Sequence, residues 1–183
     1  MKRNWIMLAA LAAFAGPAPA QPAPPEPIVT ARDGYELRLL PGGLAAGHPG
    51  LHSYPVFPFG LSRTEAITRV AALRGRAGGA GNRSCGGRML NFARFGTLTL
   101  WFRGNLWVGW SLAGPPGRRP IRSEWDMGIG MTRAGIDRLD GTDPVYRRTA
   151  RGTEFTADEM HGRLAGRGRQ ARIAELWAGE VCR

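Results

Sequence analysis

Two segments of this chain, about seventy residues apart, begin a helix with nearly the same residues. Residues 59–63 are Phe-Gly-Leu-Ser-Arg and residues 129–133 are Ile-Gly-Met-Thr-Arg. Self-similarity at a fixed spacing is typical of a duplicated supersecondary unit. We therefore expect an α+β fold made of two related helix-plus-antiparallel-sheet modules packed together, with the helices on one face of the sheet.

Both segments carry the chemistry of a helix N-terminus. Ser62 is predicted to be an N-cap with Glu65 completing a capping box, so a helix is expected over residues 63–73. Thr132 caps the second helix, but Gly135 replaces the acid, so that helix should be shorter. A further capping box at residues 156–159 predicts another short helix that ends by residue 166.

Alternating apolar residues predict the sheet. The clearest pair of strands spans residues 97–112 and folds back at residues 103–105. Residues 28–40 predict a hairpin with its turn at Asp33 and Gly34, whereas residues 42–49 and the glycine-rich residues 75–81 are expected to be loops. With strict alternation, one face of the 97–112 hairpin is core and contains Leu98, Leu100, Phe102, Leu106, Val108, Trp110 and Leu112, while Trp101 and Trp107 lie on the opposite face.

The chain divides into six predicted parts. Residues 1–20 have the charged start, apolar stretch and small-residue cleavage site of a secretory signal peptide, and residues 21–27 are an extended proline-rich leader. An N-terminal hairpin and loop over 28–57 follows. The first repeat is then expected over 58–113, a linker over 114–123 and the second repeat over 124–183. We expect a periplasmic or secreted protein with no transmembrane segment after signal removal.

The two cysteines fall one in each repeat. An even number of cysteines in an exported protein favours a disulfide, so we predict that Cys85 pairs with Cys182 and joins the two modules.

The formal net charge is +11, and Lys2 is the only lysine. Such a surface is either simply solvated or attracts acidic proteins and anionic envelope polymers. Arginines occur singly or in pairs and form no basic helix or aromatic-rich motif, so nucleic acid is not expected as a partner.

No candidate catalytic group has a convincing context. Ser111 lies in a degenerate nucleophile elbow, but the Gly-Pro-Pro-Gly that follows prevents the helix that an elbow requires. Cys85 could act as a thiol with His48, His52 or His161 as base, yet no recognisable signature places any of these histidines, and a structural cystine explains Cys85 better. We predict no catalytic residue.

The candidate metal and phosphate sites are equally weak. His48 and His52 have helical ligand spacing, but the Pro-Gly between them rules out that helix. Residues 158–161 supply two acids and His161, which fit a helix first turn better than a metal site. Residues 128–130 form an incomplete phosphate loop. We predict no metal site and no cofactor.

Four tryptophans form the best candidate for a functional surface: Trp101, Trp107, Trp110 and Trp177. Tryptophan anchors interfaces because it buries a large area at low entropic cost, although burial in the core is the alternative interpretation. We expect a non-catalytic exported protein that binds another protein or an envelope component. The alternatives are a small secreted hydrolase with an unrecognised site and a structural envelope factor.

The motif Gly-Leu-Ser-Arg-x-x-Ala-Ile from Gly60 and the motif Gly-Met-Thr-Arg-x-x-Ile from Gly130 resemble the paired repeats of secreted β-lactamase inhibitor proteins. They also resemble the small lipoprotein of the outer-membrane barrel-assembly machinery. Residues 54–183 are similar to a set of exported bacterial proteins of unknown function. The resemblance implies the two-repeat fold and protein binding in general. The inhibitors close a disulfide within each repeat, whereas this chain has one cysteine per repeat.

Overall fold

The structure is a computed structural model that describes residues 28–49 and 54–183. The predicted signal peptide at 1–20, the predicted leader at 21–27 and His52 lie outside these residues. The chain order of the elements is a 3₁₀ turn (Ala31–Asp33), β1 (Glu36–Leu40), β2 (Gly43–Gly47), β3 (Val56–Pro58), α1 (Arg63–Arg74), β4 (Gly79–Cys85), β5 (Arg88–Phe95), β6 (Leu98–Arg103), β7 (Leu106–Ala113), β8 (Arg122–Ser123), α2 (Arg133–Ile136), β9 (Val145–Thr149), β10 (Gly152–Ala157), β11 (Met160–Ala165), a 3₁₀ turn (Gly168–Gln170) and β12 (Arg172–Gly179).

The prediction of an α+β fold is wrong, because the described residues are 47% strand and only 14% helical. In this part of the chain, α1 is the only helix longer than one turn. The helix expected after Thr156 does not form; Asp158 and Glu159 instead have φ angles of 44° and 62° and make the tight turn between β10 and β11. A two-residue hairpin turn requires positive φ, and here that requirement overrides the local capping signal.

The N-terminal hairpin also differs from its prediction. Residues 31–34 form a 3₁₀ turn that ends at Gly34, and the hairpin is made by β1 and β2 with its turn at residues 41–42. The predicted loop over residues 42–49 therefore contains a buried strand. The order of the four-stranded sheet is β3-β2-β1-β8, with β8 parallel to β1, so the predicted linker contributes a strand.

The remaining strands form an eight-stranded antiparallel sheet in the order β4-β5-β6-β7-β12-β11-β10-β9. β4 starts inside the predicted glycine-rich loop, where pairing with β5 holds a sequence that has no apolar alternation of its own. Consecutive strands are neighbours within each half of the sheet, and the halves join where β7 pairs with β12.

The two helix starts are confirmed, and both are tied to the middle of this sheet. Ser62 Oγ accepts the backbone N–H of Glu65 at 3.2 Å, and Thr132 Oγ1 accepts that of Gly135 at 3.1 Å. α2 is short, as Gly135 predicted.

The chain just before each helix bonds to one of the two central strands. The N–H of Gly60 donates to the carbonyl oxygen of Trp107 in β7, and the N–H of Gly130 donates to that of Ile173 in β12, both at 2.8 Å.

A β-bulge changes the predicted faces of β7. Trp101 pairs with Gly109 but Phe102 pairs with Trp107, so Val108 is the extra residue. Strict alternation therefore fails: Trp107 turns into the core at 0% exposure, while Leu106 is 54% exposed. The pairing of β11 with β12 shifts at the matching place, between Arg163 and Leu164.

The main core lies between one face of the eight-stranded sheet, the four-stranded sheet and α1. Trp110 is fully buried there, and its indole N–H donates to the carbonyl oxygen of Leu40, which connects the two sheets. α1 contributes Ala66, Val70 and Leu73.

Among the described residues, we find no helix that combines the length and the apolar character needed to cross a membrane.

Candidate functional site

The face of the eight-stranded sheet that points away from the main core, called the open face here, carries the candidate site. Residues that pair across neighbouring strands share a face and form rows across the sheet. One row contains Arg94, Thr99, Ser111, Trp177, His161, Thr156 and Val145. A second row contains Ala113, Glu175, Arg163, Glu154 and Arg147.

The structure separates the four predicted tryptophans into two pairs. Trp107 and Trp110 are fully buried in the main core, so they cannot contact a partner, which corrects half of the predicted surface. Trp101 and Trp177 lie on the open face but are only 5% and 6% exposed. They form the floor of the site rather than protruding contacts.

The end of the chain covers part of the open face. After β12 the backbone of Glu180 passes over Gly109, where a Cβ atom would lie 2.3 Å from the carbonyl oxygen of Glu180. Cys182 then forms the predicted disulfide with Cys85 at the end of β4. A disulfide is typical of proteins outside the cytoplasm.

The covering segment is held by charge as well as by sulfur. Glu180 forms ion pairs with Arg88 and Arg103. Cys182 packs with Leu90 and Trp101 in a second, small apolar cluster. Residues 180–182 therefore cover the part of the open face around Trp101 and Gly109.

Arg183 closes over Trp177 at the middle of the face. Its guanidinium carbon lies 4.2 Å from the Trp177 ring centroid, within the range of a cation–π contact, and its Nη1 lies 3.3 Å from Glu154 Oε1. The Trp177 ring also stacks on His161, with the ring centroids 5.8 Å apart. These two side chains cover part of the Trp177 ring.

Glu175 is the most strongly held acid of the site. Arg163 lies 2.7 Å and Arg151 3.2 Å from its carboxylate oxygens. The hydrogen bond from Arg163 and the positive charges around it lower the pKa of Glu175, against the smaller opposing effect of burial. The same hydrogen bond raises the pKa of Arg163.

Two depressions flank the Trp177–Arg183 stack. One has a volume of about 390 Å³, with Trp101, Ser111 and Trp177 at its floor, and the other has a volume of about 280 Å³ beside His161 and Val145. Their charged lining residues are Arg83, Arg94, Arg147, Arg151, Arg183, Glu154 and Glu175.

The open face has an excess of positive charge. Both glutamates are paired, to Arg163, Arg151 and Arg183. Arg83, Arg94 and Arg147 have no carboxylate within salt-bridge distance in the part of the chain that the structure describes. The site therefore offers guanidinium groups around an aromatic floor, which suits an acidic ligand.

The candidate catalytic residues are not brought together. Ser111 Oγ accepts the indole N–H of Trp101 at 2.8 Å, and His161 Nδ1 lies 3.0 Å from Thr156 Oγ1. β12 separates the strands of Ser111 and His161, a distance of about 10 Å at normal strand spacing. Burial, and then the charge of Arg183, lower the pKa of His161, so its neutral form is favoured.

The other candidates take structural positions. Cys85 is oxidised and cannot serve as a thiol nucleophile. His48 packs edge-on against Tyr35, with the ring centroids 5.1 Å apart. Among residues 28–49 and 54–183, no group of three or more His, Cys, Asp and Glu side chains is placed to hold a metal ion.

The arginines of the site were missed by sequence reasoning. Arg94, Arg147, Arg151, Arg163 and Arg183 come from five separate segments and meet only through the pairing of the strands. No pattern in the sequence marks Arg147, Glu154, Arg163 and Glu175 as a set, because other charged residues lie between them. Only the strand register places them in one row.

Comparison of the chain with protein-family models, with curated proteins and with solved structures gives no match. The resemblance to the β-lactamase inhibitor proteins and to the barrel-assembly lipoprotein therefore stays a prediction. Fold and site define a mostly β protein with two sheets and a disulfide, whose open sheet face is rich in arginine and tryptophan.

Proposed function

We propose that this chain is a non-catalytic exported binding protein whose open face contacts an acidic region of another protein or an anionic envelope component. The observation that carries the proposal is the excess of arginines around the Trp101–Trp177 floor. Interfaces are enriched in arginine and tryptophan, and rim charges select partners of opposite sign.

The rigidity of the site supports binding without chemistry. Its floor lies on paired central strands, and its cover is held by a disulfide and by the ion pairs of Glu180. A preformed surface loses little conformational entropy when a partner arrives.

A matched pair of charge reversals tests the proposal. Arg147 and Arg148 are consecutive, exposed residues of the edge strand β9 and point to opposite faces of the sheet. We expect Arg147→Glu, like Arg94→Glu, to weaken capture of the partner from an envelope extract by about tenfold or more, because like charges then oppose each other. Arg148→Glu should leave capture unchanged. Equal effects of the two β9 reversals, or none from either, would contradict binding at the open face.

A structural envelope factor is the second candidate, favoured by the low exposure of all four predicted tryptophans. The function of such a protein would depend on its packed core and not on the arginines of the open face. If Arg94→Glu and Arg147→Glu both leave the folded protein and the cell's envelope integrity unaffected, while loss of the protein itself weakens the envelope, this second function replaces the first.

We also propose that the two halves of the chain are copies of one unit, as the repeated helix start suggested. Three features support this: the matching bonds of Gly60 and Gly130 to the central strands, the matching bulges in β7 and β12, and the mirrored strand order. The disulfide then joins the first strand of one copy to the end of the other.

Export to the periplasm or the medium is part of the same proposal. It is supported by the signal-like residues 1–20 and by the Cys85–Cys182 disulfide. N-terminal sequencing of the protein isolated from the cell envelope should start at Gln21. An N-terminus at Met1 would contradict signal cleavage.

A further inference from the structure

A further pocket, away from the open face, lies where the linker meets the four-stranded sheet. It has a volume of about 340 Å³ and is lined by the start of β1, the end of α1, linker residues 118–120, Arg122 of β8 and Asp126. These elements come from both halves of the chain, so the pocket exists only in the folded protein. Nothing in its position connects it to the partner surface proposed above.

Five arginines and two acids line this pocket: Arg38, Arg74, Arg118, Arg119, Arg122, Glu36 and Asp126. Both acids are already paired. Glu36 lies 3.7 Å from Arg38, and Asp126 lies 3.3 Å from Arg122.

Within the described residues, three guanidinium groups of this pocket lack a counterion. Arg74, Arg118 and Arg119 have no carboxylate within salt-bridge distance among the residues that the structure describes. Arg74 is also half-buried, and its Nη1 donates to the carbonyl oxygen of Arg119 at 3.0 Å, which holds the linker against the end of α1.

The position of Arg74 is electrostatically unfavourable. Burial, and then the neighbouring charge of Arg119, lower the pKa of Arg74, and Glu36 offsets this only partly. A partly desolvated cation beside a like charge costs free energy unless something compensates it. An anion bound between Arg74 and Arg119 would compensate both charges.

Proline restricts part of the linker that forms the wall. Pro115, Pro116 and Pro120 fix the backbone φ over a short stretch, and Pro120 itself lines the pocket. The fixed φ of Pro120 restricts the backbone next to Arg119, which lowers the entropy cost of ordering that part of the linker around a ligand.

We propose that this pocket binds a small multivalent oxyanion, one carrying two or more phosphate or carboxylate groups, through Arg74, Arg118 and Arg119. The planar guanidinium fork matches both kinds of group and can bind each with two parallel hydrogen bonds. Three guanidinium groups that line one pocket favour a multivalent anion over a monovalent one.

Calorimetric titration of the purified protein tests this at fixed ionic strength. The probes are tripolyphosphate for phosphate groups, citrate for carboxylate groups, and acetate as the monovalent control. We expect saturable one-to-one binding of tripolyphosphate, citrate or both, and no saturable binding of acetate. Whichever of the two binds more tightly identifies the chemistry of the ligand. Absence of saturable binding by both multivalent probes would overturn the proposal.

Charge-neutral variants locate the site. Arg74→Gln and Arg118→Gln should each weaken binding by about tenfold, the value of a hydrogen bond to a charged group. Arg138→Gln and Arg148→Gln remove the same charge elsewhere and should leave the affinity unchanged. An equal loss in all four variants would show attraction to net charge alone and would refute a built pocket.

The thermal midpoint separates a binding role from a folding role. Arg74→Gln also removes the hydrogen bond to the carbonyl oxygen of Arg119, so a lower midpoint of this variant without ligand would assign its effect to the linker contact and leave Arg118→Gln as the test of binding. Arg118 is exposed, so Arg118→Gln tests binding even if Arg74→Gln unfolds the chain. The proposal fails if Arg118→Gln binds both multivalent anions like the parent protein. The Arg94 and Arg147 variants of the open face should bind these anions normally, which separates this site from the proposed function.

Discussion

Glu175 shows how one residue combines local and long-range pairing. It lies in the central strand β12, yet Arg163 comes from the neighbouring strand and Arg151 from the β9–β10 turn. These contacts keep its carboxyl group ionised to lower pH than in an unfolded chain. The carboxylate of Glu175 stabilises the folded state only while it is ionised.

The pH dependence of unfolding follows from this. Because the pKa of Glu175 is lower in the folded state, its contribution is complete above the unfolded value of about 4.5 and is lost as the pH falls below that value. We expect Glu175→Gln to reduce the free energy of unfolding at neutral pH and to flatten its fall below pH 4.5. Urea unfolding across this range measures the effect.

Exposed Glu124 supplies the control for this prediction. Glu124→Gln should leave both the stability and its pH profile close to those of the parent protein. If Glu175→Gln and the parent lose stability in parallel on acidification, the ion pairs of Glu175 do not contribute to folding.

Among the elements, β7 departs most from the sequence pattern. The bulge at Val108 exchanges the sheet faces of the two residues before it, so that Trp107 lies in the core and Leu106 on the surface. Trp107→Ala should therefore cost about 3 to 5 kcal/mol, as the truncation of a buried aromatic does. Leu106→Ala should change stability by less than about 0.5 kcal/mol. Chemical denaturation of both variants checks the register. A large loss of unfolding free energy with Leu106→Ala would show that the residues alternate strictly and that the bulge is absent.

Residues 158 and 159 can be tested as a hairpin turn against the helix that the sequence predicts, because a glycine substitution changes the stability of the protein in opposite directions in the two cases. Glu159 is exposed and has a φ of 62°, which an L-residue adopts at a cost. Glu159→Gly should stabilise the protein by about 1 kcal/mol if the turn is present, whereas glycine within a helix would destabilise it by about 1 kcal/mol. Glu159→Ala keeps the Cβ atom and should show no gain. Thermal unfolding of the three proteins decides between turn and helix.

Sequence reasoning succeeded where the determining interactions are local. The caps at Ser62 and Thr132 and the short α2 follow from residues within one turn of chain. The bulge in β7 and the glycine-rich β4 depend on partner strands, and no pattern within either segment reveals them. The same holds for the site, because Trp177 was named as a candidate but the arginines around it are assembled by sheet register alone.

The disulfide links two distant parts of the molecule and closes a long loop of chain. Cys85 and Cys182 are 97 residues apart, so the bond restricts most of the unfolded chain and is worth about 4 to 5 kcal/mol in the chain-entropy model. That value is comparable with the whole stability of a typical domain. The bond also holds the segment that covers Trp101.

Removal of the disulfide should therefore act on stability and on the open face together. The Cys85→Ser, Cys182→Ser double variant is expected to lose about 4 to 5 kcal/mol in chemical denaturation. Amide exchange should also become faster at residues 181–183, while the central strands stay protected. Two thiols that react in the denatured, non-reduced parent protein would show that the bond is absent.

We propose that the partner contacts the open face of the eight-stranded sheet. Site-specific photo-crosslinking in the intact cell measures this most directly, with the photoreactive residue placed in turn at positions 94, 147 and 148. Positions 94 and 147 should give the same crosslinked partner, and position 148, on the reverse side of the same edge strand, should give none. A partner crosslinked only from position 148, or equally from both sides of β9, would contradict the proposal.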